Sequence, residues 1–198
     1  MIHFGLEILS GPAEEPVTRN EAKDWLRQTG NDRDDAMIES LIRAIRRKLE
    51  EEYDITLCTQ TRRLTLDSFP WGECQQIELP RPPLRSVLSV TYRDAAGDTQ
   101  TVDADTYLVD AASRPGRVLP VLSSYWPIPG QSFASAKVTY TCGYGSPSDV
   151  PEDAKTGIKL ALASLYAGNR GEDLKAGNVA ICPAAKWIFG GLWSGAYR

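Results

Sequence analysis

The strongest constraint on this chain is an apolar stripe at helical spacing that stops where a two-residue repeat begins. Between residues 34 and 53, Ile38, Leu41, Ile42, Ile45 and Leu49 recur at three- and four-residue intervals, which places them on one side of an α-helix. Roughly twenty helical residues reach about 30 Å, the width of a small domain. From Thr59 the period changes: Leu64 and Leu66 alternate with Thr65 and Asp67, as in a half-buried strand. Residues 32–69 therefore tie a helical layer to a sheet, and the rest of the chain has to supply partners for both.

Upstream, residues 1–16 read as an extended N-terminal arm, with Gly11, Pro12 and Pro16 discouraging regular structure. A first helix opens at Thr18, where Glu21 three residues later completes a capping box and Val17 occupies the staple position. Ala22, Trp25 and Leu26 form its apolar face, and Gly30 offers a stop. Asn31 or Asp32 can cap the long helix, whose N-terminus gathers Asp32, Asp34 and Asp35 in favourable alignment with the macrodipole.

Downstream, short strands are predicted at 77–79, around Leu88, Val90 and Tyr92, at 99–102, 107–109, 117–119 and 137–142. Ala96, Gly97 and Asp98 read as a hairpin turn, and Pro80, Pro82 and Pro83 interrupt a ladder. Short connections favour antiparallel pairing. The loop at 123–135 carries Tyr125 and Trp126, which either cover the sheet or present a functional surface. Helix returns after Val150, with Pro151 suited to its first turn and Ala154, Ile158, Ala161, Leu162 and Leu165 as its stripe. The expected fold class is α+β: a small helical bundle with an inserted antiparallel β-sheet and an extended C-terminal tail. The boundaries are an arm at 1–16, one domain at 17–182 (helices 17–54 and 150–168, β insertion 59–145) and a tail at 183–198.

Chemistry is sparse. Within 198 residues there is one histidine, His3, and nothing beside it suggests a Ser-His-Asp or Cys-His arrangement. Cys58, Cys74, Cys142 and Cys182 lack metal-ligand spacing and read as reduced, partly buried thiols. Gly143, Tyr144 and Gly145 lack the Lys-Ser/Thr of a phosphate loop and read as a turn. No catalytic residue, cofactor or metal is predicted. A net charge of −4 argues against avid nucleic-acid binding. No apolar run approaches a membrane span, and no signal peptide is apparent, so synthesis in the cytoplasm is expected.

Two features remain for function. The back of the long helix carries Arg43, Arg46, Arg47, Lys48, Glu50, Glu51 and Glu52. It reads as a solvated face, as a surface meeting complementary charges on an identical neighbour, or as a phosphate contact, the last disfavoured by the interspersed glutamates. The tail holds Trp187, Phe189, Trp193 and Tyr197 within sixteen residues. Such aromatics either fold back on their own helices or serve as interface anchors.

In order along the chain, Glu15-Pro16-Val17-Thr18, Glu21-Ala22-Lys23, Trp25-Leu26-Arg27, residues 35–52, 59–70 and 77–84, Ser89-Val90-Thr91-Tyr92, residues 138–145 and Val150-Pro151-Glu152 resemble the head-tail connector (head completion adaptor) proteins of long-tailed phages and prophages. The resemblance implies a non-enzymatic virion protein made in the host cytoplasm. It would form a ring of twelve copies below the portal, extend the DNA channel and offer a platform to the next neck or tail-completion protein. Double-stranded DNA would pass through without sequence-specific binding. Carried onto this chain, the portal-binding residues are Trp187, Ile188, Phe189, Leu192, Trp193, Tyr197 and Arg198, although Gly190 and Gly191 depart from the family's apolar stretch. Inter-subunit contacts would fall to Arg43, Arg46, Arg47, Glu50 and Glu51. The alternative role is a tail-completion or tail-terminator protein that contacts the tail tube.

Overall fold

A computed structural model describes residues 4–72 and 75–168, with Pro183, Ala184 and Ile188. The class is α+β. The chain forms two compact units, one built from 4–12 and Thr59–Tyr144, the other from Ala13–Cys58 with the described residues after Gly145. Residues expected within one domain over 17–182 are thus distributed over both.

The first unit holds two antiparallel sheets instead of one. Its five-stranded sheet runs β1(Phe4–Ser10), β2(Gln60–Leu66), β8(Ala136–Cys142), β4(Leu84–Arg93), β5(Thr99–Thr101). The three-stranded sheet runs β3(Ile77–Leu79), β7(Gly116–Pro120), β6(Tyr107–Asp110). One core cluster takes Leu64, Val90, Val138 and Tyr140 from the first sheet and Ile77, Leu79 and Val118 from the second. On β2 and β8 every second residue is buried, in matched pairs such as Leu64↔Val138 and Leu66↔Ala136. This alternation is what made both strands legible. Between the sheets' elements, a Cβ on Gly116 would lie 2.5 Å from Leu84 Cβ, so only glycine permits this approach of β7 to β4.

The predicted arm is corrected in part. Phe4–Ser10 is an edge strand paired with β2 from Phe4↔Leu66 to Ser10↔Thr61. The pairing satisfies the backbone edge of β2 and partly buries Leu6. Ile8 and Leu9 remain exposed, which left no clean period to read. The face of β4 is also corrected. Register shifts between Leu84/Ser86 and Val87/Ser89 each insert one extra residue, Arg85 and Leu88. Val87 therefore packs on the core with Val90 and Tyr92, while Leu88 is turned outward.

In the second unit α2(Asp35–Glu52) packs on α1(Arg19–Trp25) and α3(Glu152–Gly168). Thr18 caps α1 as predicted: Glu21 N–H donates to its Oγ1 at 3.2 Å, and its own N–H donates to Glu21 at 2.8 Å. The end of α1 lies before Gly30. Gln28 N–H donates to Lys23 O at 2.9 Å and Arg27 N–H to Asp24 O at 3.1 Å. That is a Schellman closure with Arg27 at φ 55° in the left-handed position. The same closure ends α2, with Asp54 at φ 50° and Ile55 N–H donating to Glu50 O at 3.2 Å. Neither Asn31 nor Asp32 caps α2; Asp34 occupies that position with no side-chain capping bond, its carboxylate accepting Tyr166 O–H at 2.7 Å instead.

Candidate functional site

The two sides of α2 decide which of its charges are available. Ile38, Ile42, Ile45 and Leu49 are all at most 3% exposed, each contributing about 1.5–3 kcal/mol through burial. Arg46 and Glu50 adjoin this stripe and are buried too, at 6% and 3% exposure. Placing them on the outward back of the helix is therefore corrected: the buried sector is wider than the apolar residues alone indicate.

Arg46 works inside the protomer. Its Nε donates to Glu15 at 2.7 Å and its Nη1 to Glu50 at 2.8 Å, while the other Glu50 oxygen accepts Leu57 N–H at 3.0 Å. Burial alone would lower the Arg46 pKa; Glu15 and Glu50 more than offset this and hold it above the ordinary value. The neighbouring Cys58 thiol is pushed up to about 12 by burial, assisted by Glu15, so it stays a protonated, inert thiol. Lys23 is similarly tied, with Asp32 at 2.7 Å and Asp35 at 2.8 Å.

The exposed residues of α2 are Ala36, Ser40, Arg43, Ala44, Arg47, Lys48, Glu51 and Glu52. Arg43 lies 3.9 Å from Glu39, its i,i+4 neighbour on the helix. Arg47 and Lys48 make no ion pair among the described residues. Of the tail set, Ile188 is a half-buried helical residue, whereas Trp187, Phe189, Leu192, Trp193, Tyr197 and Arg198 lie outside the described residues.

The loop at 121–135 resolves into two roles. Trp126 is 7% exposed. It stacks on Phe69 with centroids 5.0 Å apart and donates Nε1–H to Gln75 O at 2.7 Å, so it covers the core. Leu122, Ile128 and Phe133, with Trp71 from the preceding turn, are each at least 90% exposed. Trp71 and Ile128 line one cleft of about 460 Å³ with Pro70, Trp126 and Pro129. The loop is not slack: Gly130 N–H donates to Arg93 O at 2.8 Å and Ala134 N–H to Asp67 Oδ1 at 3.0 Å. Of the four, Trp71 and Ile128 share one cleft, so they form a joint apolar surface open to water. Sequence flagged the loop, but composition cannot tell which aromatic turns inward.

Among the described residues no three His, Cys, Asp or Glu side chains form a metal-binding group. No described helix is long and apolar enough to cross a membrane. His3 lies outside the described residues. What the geometry offers is surface: a charged helix back and rigid apolar tips.

Neither a protein-family model nor a characterised protein matches the sequence. Solved structures do share the fold. A chain of the virion of the native gene transfer agent particle superposes with TM-score 0.71 at 22% identity, over 92% of this chain and 94% of that one. A chain from the neck of the empty particle, computed with C6 symmetry, gives 0.71 at 22% identity over 93% and 94%. A chain from the neck of the native particle, computed with C12 symmetry, gives 0.65 at 23% identity over 93% and 94%.

Proposed function

We propose that this chain is a structural protein of a phage-like virion neck, acting as a head-tail adaptor. The observation that carries the reading is the end-to-end fold match to chains of gene transfer agent virions and necks, 92–93% of this chain against 94% of each. Necks computed with six-fold and twelve-fold symmetry support a ring of identical copies. The rigid apolar tips and the charged helix back supply surfaces for such contacts. In this reading twelve copies sit below the portal and continue its channel. A protein of net charge −4 lets double-stranded DNA pass without gripping it. The ring then receives the next neck or tail-completion protein. Residues 183–198, with Trp187, Ile188, Phe189, Leu192, Trp193, Tyr197 and Arg198, dock on the portal. Arg43, Arg47 and Glu51 remain the inter-subunit candidates on α2, with Arg46 and Glu50 supporting the helix from within.

Imaging of particles assembled with and without this protein tests the role. A ring beneath the portal is expected, and its absence overturns the reading. Crosslinkers placed at Trp187 or Trp193 should capture portal; capture of tail-tube protein instead identifies a tail-completion protein.

A further inference from the structure

The protomer carries opposite charges on two separate exposed features. On α2, Arg43, Arg47 and Lys48 are exposed beside the small residues Ser40 and Ala44, so another backbone can approach closely. Arg43 lies 3.9 Å from Glu39, and the exposed Glu51 and Glu52 follow one turn on. That leaves Arg47 and Lys48 as the exposed cations of this back with no ion pair among the described residues. The second feature is the turn joining β4 to β5 and the segment after it. Between Asp94 and Ser113 the sequence has five aspartates and neither Lys nor Arg. Asp98, Asp103 and Asp105 are exposed and make no ion pair among the described residues. Arg93 borders the segment, and Asp110 is already engaged by Arg117 at 2.7 Å.

The acidic segment is held in shape before it meets anything. The Asp94 carboxylate accepts Ala96 N–H at 2.9 Å, Asp98 N–H at 3.0 Å and Gln100 Nε2–H at 2.8 Å. Gly97 supplies φ 92° at the tip. Asp103 accepts Asp105 N–H at 3.1 Å and so fixes the following turn. A Cβ on Gly130 would lie 2.4 Å from Asp94 O, so the neighbouring loop braces the hairpin root. Little conformational freedom is left to lose on docking.

Identical subunits of net charge −4 repel one another overall. Their contacts are favoured where surfaces of opposite sign face each other, which also fixes which face meets which. We propose that the acidic hairpin of one copy, through Asp98, Asp103 and Asp105, docks on Arg47 and Lys48, flanked by Arg43, on the exposed back of α2 in the next copy. The two patches differ, so the contact is head-to-tail and propagates around a ring instead of closing a two-fold dimer. This inference rests on the ring reading above and assigns one of its interfaces.

Charge reversal tests it on the full chain. One variant carries Arg47→Glu with Lys48→Glu, a second carries Asp98→Lys with Asp105→Lys, and a third carries all four. All positions are exposed, and unchanged thermal melts confirm the fold. Sedimentation at low salt should show self-association of each two-site variant weakened by about tenfold or more. The four-site variant, and an equimolar mixture of the two two-site variants, should recover it, because each again opposes acid to base. Wild-type rings unmoved by either reversal, or weakened rings that neither combination rescues, overturn this contact alone. A wild-type chain that stays monomeric, or forms only a two-fold dimer, overturns the contact and the ring reading together.

Discussion

Arg46 Nε donates to Glu15 Oε2 at 2.7 Å across 31 positions of sequence, and the same guanidinium holds Glu50, which in turn holds Leu57 N–H. One side chain in the middle of α2 thereby secures both the segment that enters α1 and the segment that leaves α2.

Arg46→Ala is expected to cost about 3–5 kcal/mol, because it removes the buried guanidinium that bridges Glu15 and the 3%-exposed Glu50. Arg46→Met combined with Glu50→Gln should cost far less, since Gln keeps an acceptor for Leu57 N–H and no buried charge remains. Urea unfolding of the two proteins gives the comparison. Equal losses would show that shape, not charge, governs the position.

Two tryptophans should behave oppositely. Trp126→Ala removes a core ring that stacks on Phe69, and a loss of about 3–5 kcal/mol follows from cavity formation. Trp71 is 90% exposed, so Trp71→Ala should stay within about 0.5 kcal/mol in the isolated chain. Chemical denaturation checks both. A large loss at Trp71 would mean that its side chain is structural.

Asp110 gives a pH signature. Ser113 Oγ–H and the Arg117 guanidinium, with backbone N–H groups of Ser113 and Ala112, hold its carboxyl well below the usual carboxylate range. A depressed folded pKa stabilises above the unfolded value near 3.9 and loses that contribution as pH falls through the folded pKa. Asp110→Asn should therefore lower Tm at about pH 7, with the difference from wild type shrinking as pH falls below about 4 and closing only below the depressed folded pKa, which flattens the acid limb. A parallel shift at every pH would assign the loss to packing alone.

Much of this protein was legible because periodicity survives wherever one face is buried. The stripe from Ile38 to Leu49, the alternation on β2 and β8, and the Thr18–Glu21 cap are local patterns, and each appears where expected. The misses have physical causes as well. β1 is half exposed at an edge, so its apolar residues follow no clean period, and only pairing with β2 defines it. Leu88 faces out because register shifts reverse the alternation along β4. The helix ends at Arg27 and Asp54 use left-handed residues other than glycine, where hydrogen bonding overrides the usual preference.

By itself, the sequence determined that a long amphipathic helix leads into a sheet, that the chain is mildly acidic and that its last sixteen residues are rich in aromatics. Tertiary structure decided which charges of that helix are usable. Arg46 and Arg47 are neighbours in the chain, yet helical geometry turns the first into the interior, where Glu15 and Glu50 neutralise it, and leaves the second in water. A charge run read along one dimension cannot show that difference, because burial depends on what packs against each side of the helix.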